Sequence, residues 1–163
     1  FVQPLKVVEQ GFRVVYEPSA LLKEDTNKDS GSEFSMRVRV SLRALWALSD
    51  MKQLMNPRHA RLFAWQLISH KLLRYTAFIP LISLTISTLL LASDRGIYTL
   101  TLMGLVAFAL LAWIGFRREG KAQSLSAAYS IPYYFALLNI ASYKAVIAFL
   151  KGEKKVVWNP RKG

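Results

Sequence analysis

The chain contains no cysteine. That absence excludes disulfides, thiolate-ligated zinc and a cysteine nucleophile, and it leaves the redox compartment unreadable from composition. Acidic residues are scarce: 10 Asp and Glu stand against 22 Lys and Arg in 163 residues, a net charge of +12. The two histidines, His59 and His70, lie eleven positions apart with no carboxylate beside them. They read as polar residues of a membrane interface rather than as metal ligands, since a metal site needs three or four donors. Neither a Gly-rich phosphate loop nor the Ser/His/Asp order of a hydrolase is present.

An even spread of charge is also missing. Tyr75 to Ala92 gives 18 residues without a formal charge, and Ile97 to Phe116 gives 20 more. Each run is long enough to cross a hydrocarbon core of about 30 Å, which excludes a simple soluble globule. Both lie far from the first residue and exceed the roughly 7–15 apolar residues of a secretion signal, so they read as integral membrane segments.

The first 74 residues are water-facing in composition, with 12 Lys and Arg and 7 Asp and Glu. Val2, Leu5, Val8 and Phe12 recur at helical spacing, and Gly11 supplies a left-handed stop. No N-cap residue precedes this helix, which suggests that Phe1 lies inside a larger protein. FRVVYEPSALLKED reads as a strand, a turn at Pro18 and a second extended piece, the edge of an α/β sheet. The polar stretch Thr26 to Ser32 reads as a loop. A helix is then predicted from Ser32 or Glu33 to about Leu48, with Ser32 as its cap. Phe34, Val38, Leu42 and Leu45 form one apolar stripe of that helix, while Met36, Arg39, Arg43 and Trp46 fall on another. Glu33 and Arg37, four apart, are placed to form a surface ion pair.

From Asn56-Pro57 a further helix runs into the first apolar segment. It mixes Leu62, Trp65, Ile68 and Leu72 with Arg58, Arg61, Lys71 and Arg74, a composition that suits the headgroup layer.

Taken in order, GFRVVYEPSALLKE, EFSMRVRVSLRALWAL, LFAWQLISHKLLRY with the apolar segments behind it, and a closing KKVVWNPRKG resemble the C-terminal part of a membrane-embedded family 2 glycosyltransferase. The similarity is to cellulose, hyaluronan and poly-N-acetylglucosamine synthases and covers nearly the whole chain. That family's G-x-R-x-x-Y-x-P-x-A segment is matched by Gly11, Arg13, Tyr16, Pro18 and Ala20. Its Q-x-x-R-W motif is matched by Arg39 alone, with Met36 at the glutamine position and Val40 at the tryptophan position.

The resemblance implies a mainly α membrane fragment: residues 1–50 as the C-terminal edge of an α/β GT-A-like catalytic domain, 51–74 as interface helices, and 75–163 as the membrane region. It implies transfer of a sugar from a nucleotide-sugar donor to a growing polysaccharide or a lipid-linked acceptor at the cytosolic membrane face. Arg39, with Arg37 and Arg43 beside it, would contact donor phosphate or the acceptor end, a task suited to a planar guanidinium with two parallel donors. The motif tryptophan stacks on the terminal sugar, so with Val40 in its place transfer of one or a few sugars stands as an alternative to long processive synthesis. A divalent ion, Mg or Mn, is expected with the donor. Its D-x-D ligands and the acidic base motif precede the matched segment and are not in this chain, so the fragment alone is expected to be inactive. Glu24 and Asp25 follow the Tyr-x-Pro segment and read as loop carboxylates.

Loop charge sets an expected topology. The connection SDRG is neutral and short, so it belongs on the far side; RREGK carries net +2 and belongs in the cytosol. The third apolar segment, 127–150, contains Pro132, Asn139 and Lys144, and a lysine near the bilayer centre costs about 2.5–3.5 kcal/mol. A kinked, re-entrant or interfacial course is therefore expected, with a cytosolic basic tail. The protein would lie in the cell membrane as a multi-pass chain with its N-terminal part cytosolic. A reading from a different class also fits: a non-catalytic membrane protein whose basic helices bind anionic lipid or a partner, each juxtamembrane cation contributing about 1 kcal/mol. Nucleic acid is not expected as a partner, because basic charge beside apolar spans is accounted for by orientation.

Overall fold

A computed structural model describes residues 1–22, 30–94, 96–119 and 125–154. Glu24, Asp25, Arg95 and most of the basic tail lie outside those residues. Helix α1 (Val2–Glu9) ends as its sequence requires: Gly11 has φ +87°, and the amides of Gly11 and Phe12 return to the carbonyls of Val8 and Val7 at 2.9 and 3.1 Å. No strand occurs among the described residues. The expected edge strand from Phe12 is an irregular segment whose Val15, Tyr16, Leu21 and Leu22 are 83–89% exposed. β-Propensity needs a neighbouring strand to be expressed, and the described residues supply none. The Pro18 turn does form. The Glu17 carboxylate accepts the Ser19 amide at 3.1 Å and the Ser19 hydroxyl, and these two donors hold its carboxyl below the usual range.

Helix α2 (Ser30–Asp50) begins earlier than expected. Ser30, Gly31 and Ser32 are already helical, so Ser32 is not the cap. Glu33 still falls in the first turn, where its charge opposes the helix dipole, and its carboxylate meets Arg37 at 2.6 Å, as the spacing required. The apolar stripe is buried as read: Val38, Leu42 and Leu45, with Phe34 at its edge, pack on Ala141, Ala145 and Ala148 of the last helix. Large side chains on α2 thus fill a face of alanines. Another side of α2 buries Ala47 and Leu48, with Met51 just past its end, against Leu5, Leu54 and Leu67, so this helix is held between two layers, with Tyr75 touching both.

A 3₁₀ turn (Lys52–Met55) leads to α3 (Pro57–Leu67), where Asn56 caps the helix by accepting the Arg58 amide at 3.0 Å and Pro57 occupies the first turn. The run into the membrane is not one helix. Arg61 takes a positive φ of 46°, a π turn (Ile68–Leu72) follows, and α4 (Leu73–Tyr75) ends three residues later. Helix α5 (Phe78–Leu90) then departs at 60°. The expected first span is corrected accordingly: 13 residues reach only about 20 Å, short of the hydrocarbon thickness. The broken pair from Pro57 to Leu90 has the apolar length of a span only when its two arms are taken together.

Two helices are long and apolar enough to cross a membrane, α6 (Ile97–Arg118) and α7 (Ala127–Leu150). On α6, Leu100, Met103, Val106, Leu110 and Trp113 are all more than half exposed. Such a continuous apolar surface is stable in lipid and not in water. Helix α7 is unbroken over 24 residues, which replaces the kinked segment expected from its sequence. Pro132 sits in the second turn and removes a single hydrogen bond, and the Asn139 side-chain amide is satisfied by the Phe135 carbonyl at 2.9 Å. Lys144 is exposed, with its ammonium 5.1 Å from the centre of the Phe34 ring.

The two long helices form an antiparallel hairpin. Gly115, in the last turn of α6, lies so close to α7 that a β-carbon there would be 2.6 Å from the Tyr129 carbonyl oxygen. At that end Arg117 stacks on Trp113 and Arg118 on Tyr129, each extending an apolar stem under a charged tip.

Candidate functional site

The packing of α2 on α7 fixes where its basic residues go. Arg37, Val40, Ser41 and Ala44 recur at intervals of three and four and share a face. They meet the stretch around Lys71 and Arg74 on one side and the middle of α7 on the other, enclosing a pocket of about 740 Å³. Four cations line it: Arg37, Arg43, Lys71 and Arg74. Asn139 and Ser142 of α7 add polar groups, and Phe135 and Leu138 supply an apolar wall.

The three arginines expected to act together are divided by this geometry. Arg37 and Arg43 line the pocket. Arg39, two positions from Arg37 and so about 200° around the helix, is half-buried and does not line it. Arg43 also borders a second cleft of about 560 Å³, shared with Lys6, Glu9, Asp50 and Lys154. Trp46 does not stand beside the arginines as a free aromatic platform. Its ring packs edge-on to Phe149 at 4.7 Å, its indole N–H is bonded to the Glu153 carbonyl, and Lys154 covers its face at 4.7 Å. Val40, at the position of the motif tryptophan, is half exposed and borders the pocket.

Lys71 and Arg74 were legible only as interface anchors. Their membership of the pocket depends on the π turn that contains Lys71 and ends two residues before Arg74, and no local pattern in ISHKLLRY announces that turn. Lys71 is further placed by the Phe1 ring, 5.2 Å from its ammonium.

Of the two histidines, His70 bonds through Nδ1 to the Ser69 hydroxyl at 2.8 Å, and both are exposed. Among the described residues no three His, Asp or Glu side chains come together to hold a metal ion. The divalent ion that the sequence resemblance implies has its expected ligands upstream of this chain, and no chemical step here runs through it. What the site can do is bind: it concentrates positive charge beside an apolar wall. Comparison with protein-family models, curated proteins and solved structures gives no match for this chain.

Proposed function

We propose that this chain is the C-terminal portion of a membrane-embedded glycosyltransferase that moves a sugar from a nucleotide-sugar donor to a growing polysaccharide or lipid-linked acceptor at the cytosolic membrane face. The observation that carries the reading is the seating of the arginine helix α2 along α7. A basic helix built into the face of a membrane helix can hold a phosphorylated donor and a membrane-borne acceptor within reach of each other. The exposed run Phe12, Val14, Val15 and Tyr16, 54–85% exposed, adds support. In this reading it is covered by the preceding GT-A-like domain, whose D-x-D residues bring the divalent ion, and it becomes a paired strand there.

Arg39, set apart from the pocket, is the residue assigned to donor phosphate. Val40 in place of a stacking tryptophan keeps transfer of one or a few sugars open beside processive synthesis. The test is transfer of labelled sugar by the complete enzyme in membranes. Arg39→Ala should remove a charge-assisted hydrogen bond of roughly 1.5–3 kcal/mol, lowering turnover or donor affinity about tenfold to a hundredfold. Arg39→Lys should recover only part of it. Full activity of a correctly inserted Arg39→Ala enzyme refutes the assignment. Absence of any sugar transfer by the complete protein would favour the other reading, a non-catalytic membrane protein whose basic helices bind anionic lipid or a partner.

A further inference from the structure

The pocket between α2, the Lys71–Arg74 stretch and α7 is unbalanced in charge. Four cations line it and, among the described residues, no acidic side chain does. The Glu33 carboxylate offsets Arg37, and the positive charge on which the inference rests is that of Lys71 and Arg74. Like charges gathered against an apolar wall repel each other and lose part of their hydration, and both costs fall when an anion enters.

The wall decides what kind of anion. Phe135 and Leu138 belong to a helix long and apolar enough to cross a membrane, and the pocket also takes in Ala77, at the start of the apolar helix α5. A soluble anion leaves that apolar surface wet. An amphiphile covers it.

We propose that this pocket binds an anionic phospholipid, with its phosphate among Arg37, Arg43, Lys71 and Arg74 and its acyl chains leaving along Phe135 and Leu138 towards the lipid-facing side of α7. Guanidinium groups suit the phosphate oxygens because their planar fork offers two parallel donors, and Lys71 adds a point charge. Asn139 retains its carbonyl oxygen as an acceptor, since only its amide is used within the helix, so a glycerol hydroxyl beside the phosphate has a partner. The lipid is bound in a fixed place here, as a counter-ion to a built cluster, rather than by diffuse attraction of a basic surface. The inference rests on the pocket alone and holds whether or not the protein transfers sugar.

The experiment is native mass spectrometry of the purified full-length protein in detergent, supplied with equal amounts of phosphatidylcholine, phosphatidylglycerol and phosphatidic acid. The two anionic lipids should be retained at least tenfold more than phosphatidylcholine, which carries the same phosphate with its charge cancelled. Replacing Lys71→Gln and Arg74→Gln together should abolish that preference. Replacing Lys52→Gln and Arg58→Gln, the same loss of charge outside the pocket, should leave it intact. Equal retention of all three lipids by the unaltered protein overturns the proposal without reference to any variant. So does an equal loss of preference in both double variants, which would mark diffuse attraction. Complete displacement of the lipid by millimolar inorganic phosphate, which would mark a soluble-anion site, overturns it too. Sugar transfer is not read in this assay, so its outcome is separate from the fate of the transferase reading.

Discussion

The indole N–H of Trp46 donates to the carbonyl oxygen of Glu153 at 2.9 Å, joining residues 107 positions apart. The bond is made possible by the way α7 ends: the amides of Gly152 and Glu153 turn back onto the carbonyls of Phe149 and Ala148, each at 2.9 Å, which swings the Glu153 carbonyl outward towards α2. The C-terminal end of α7 is thereby tied to the C-terminal half of α2 by a hydrogen bond, an edge-on aromatic pair and the Lys154 ammonium.

Trp46→Phe keeps a ring against Phe149 and removes the hydrogen bond. It should lower stability by about 1 kcal/mol, and Trp46→Ala, which also empties the ring's place, by about 3 kcal/mol or more. Thermal unfolding in detergent followed by near-ultraviolet circular dichroism measures the difference. If Trp46→Phe is as damaging as Trp46→Ala, the bond to Glu153 is the dominant tie and the ring packing is incidental.

Gly115→Ala tests the α6–α7 hairpin. The new β-carbon would lie 2.6 Å from the Tyr129 carbonyl oxygen and 2.8 Å from the Tyr133 β-carbon. Neither is the end of a flexible side chain, so the helices must separate, at a cost of about 1–3 kcal/mol. Gly104, in the same helix, has nothing within 4 Å of the place its β-carbon would take. Gly104→Ala should therefore be neutral or stabilising, since alanine is the better helix former by up to about 1 kcal/mol. Equal unfolding temperatures for the two variants would mean that α6 and α7 do not meet at Gly115.

The same hairpin leads to a predicted topology that differs from the one expected from loop charge alone. Arg118, at the end of α6, lies over Tyr129 at the start of α7, while position 151 follows the other end of that helix, which is about 36 Å long and is tied there to α2. With α7 crossing and its 151 end at the cytosolic face, Arg117 and Arg118 are predicted to face outward. The tail carries five Lys and Arg with one Glu, against net +2 for RREGK, so the larger positive charge stays inside. Helix α5 then enters and leaves on the cytosolic side, in keeping with its 13 residues. The cysteine-free chain makes the assay clean: an impermeant thiol reagent on intact cells should label a cysteine at 118, and one at 151 only after permeabilisation. Labelling of both from one face would lay α7 in the plane of the membrane.

Much of the local structure was legible because it depends on neighbours three or four residues away. The Phe34, Val38, Leu42 and Leu45 stripe, the Glu33–Arg37 pair, the Gly11 stop and the Asn56-Pro57 start are of this kind. The errors fell where the deciding partner is remote. Strand-prone residues from Phe12 onward found no strand, and Pro132 and Asn139 failed to break a helix that α2 and α6 support along its length. At the site, the basic character of α2 was plain, but which arginines face α7 was not. The division between Arg37 and Arg39 follows from which side of α2 the alanine face of α7 takes up.

The π turn at Ile68–Leu72 acts on the helix behind it as a change of phase. One residue more than an α-helical turn is accommodated there, which sets every later side chain back by about 100° relative to an unbroken α-helix. The Ser69 hydroxyl, bonded to the Trp65 carbonyl at 2.8 Å, sits where that extra residue is taken up. Deleting Ser69 would let the turn relax to α geometry with the composition on either side intact. Lys71 and Arg74 would then keep their bearing, because the residue removed is the one the wide turn takes up; forcing the intact sequence into α geometry is what would turn them, and the entry direction of α5 with them. The wide turn thus sets the bearing of two cations and of the apolar helix beyond.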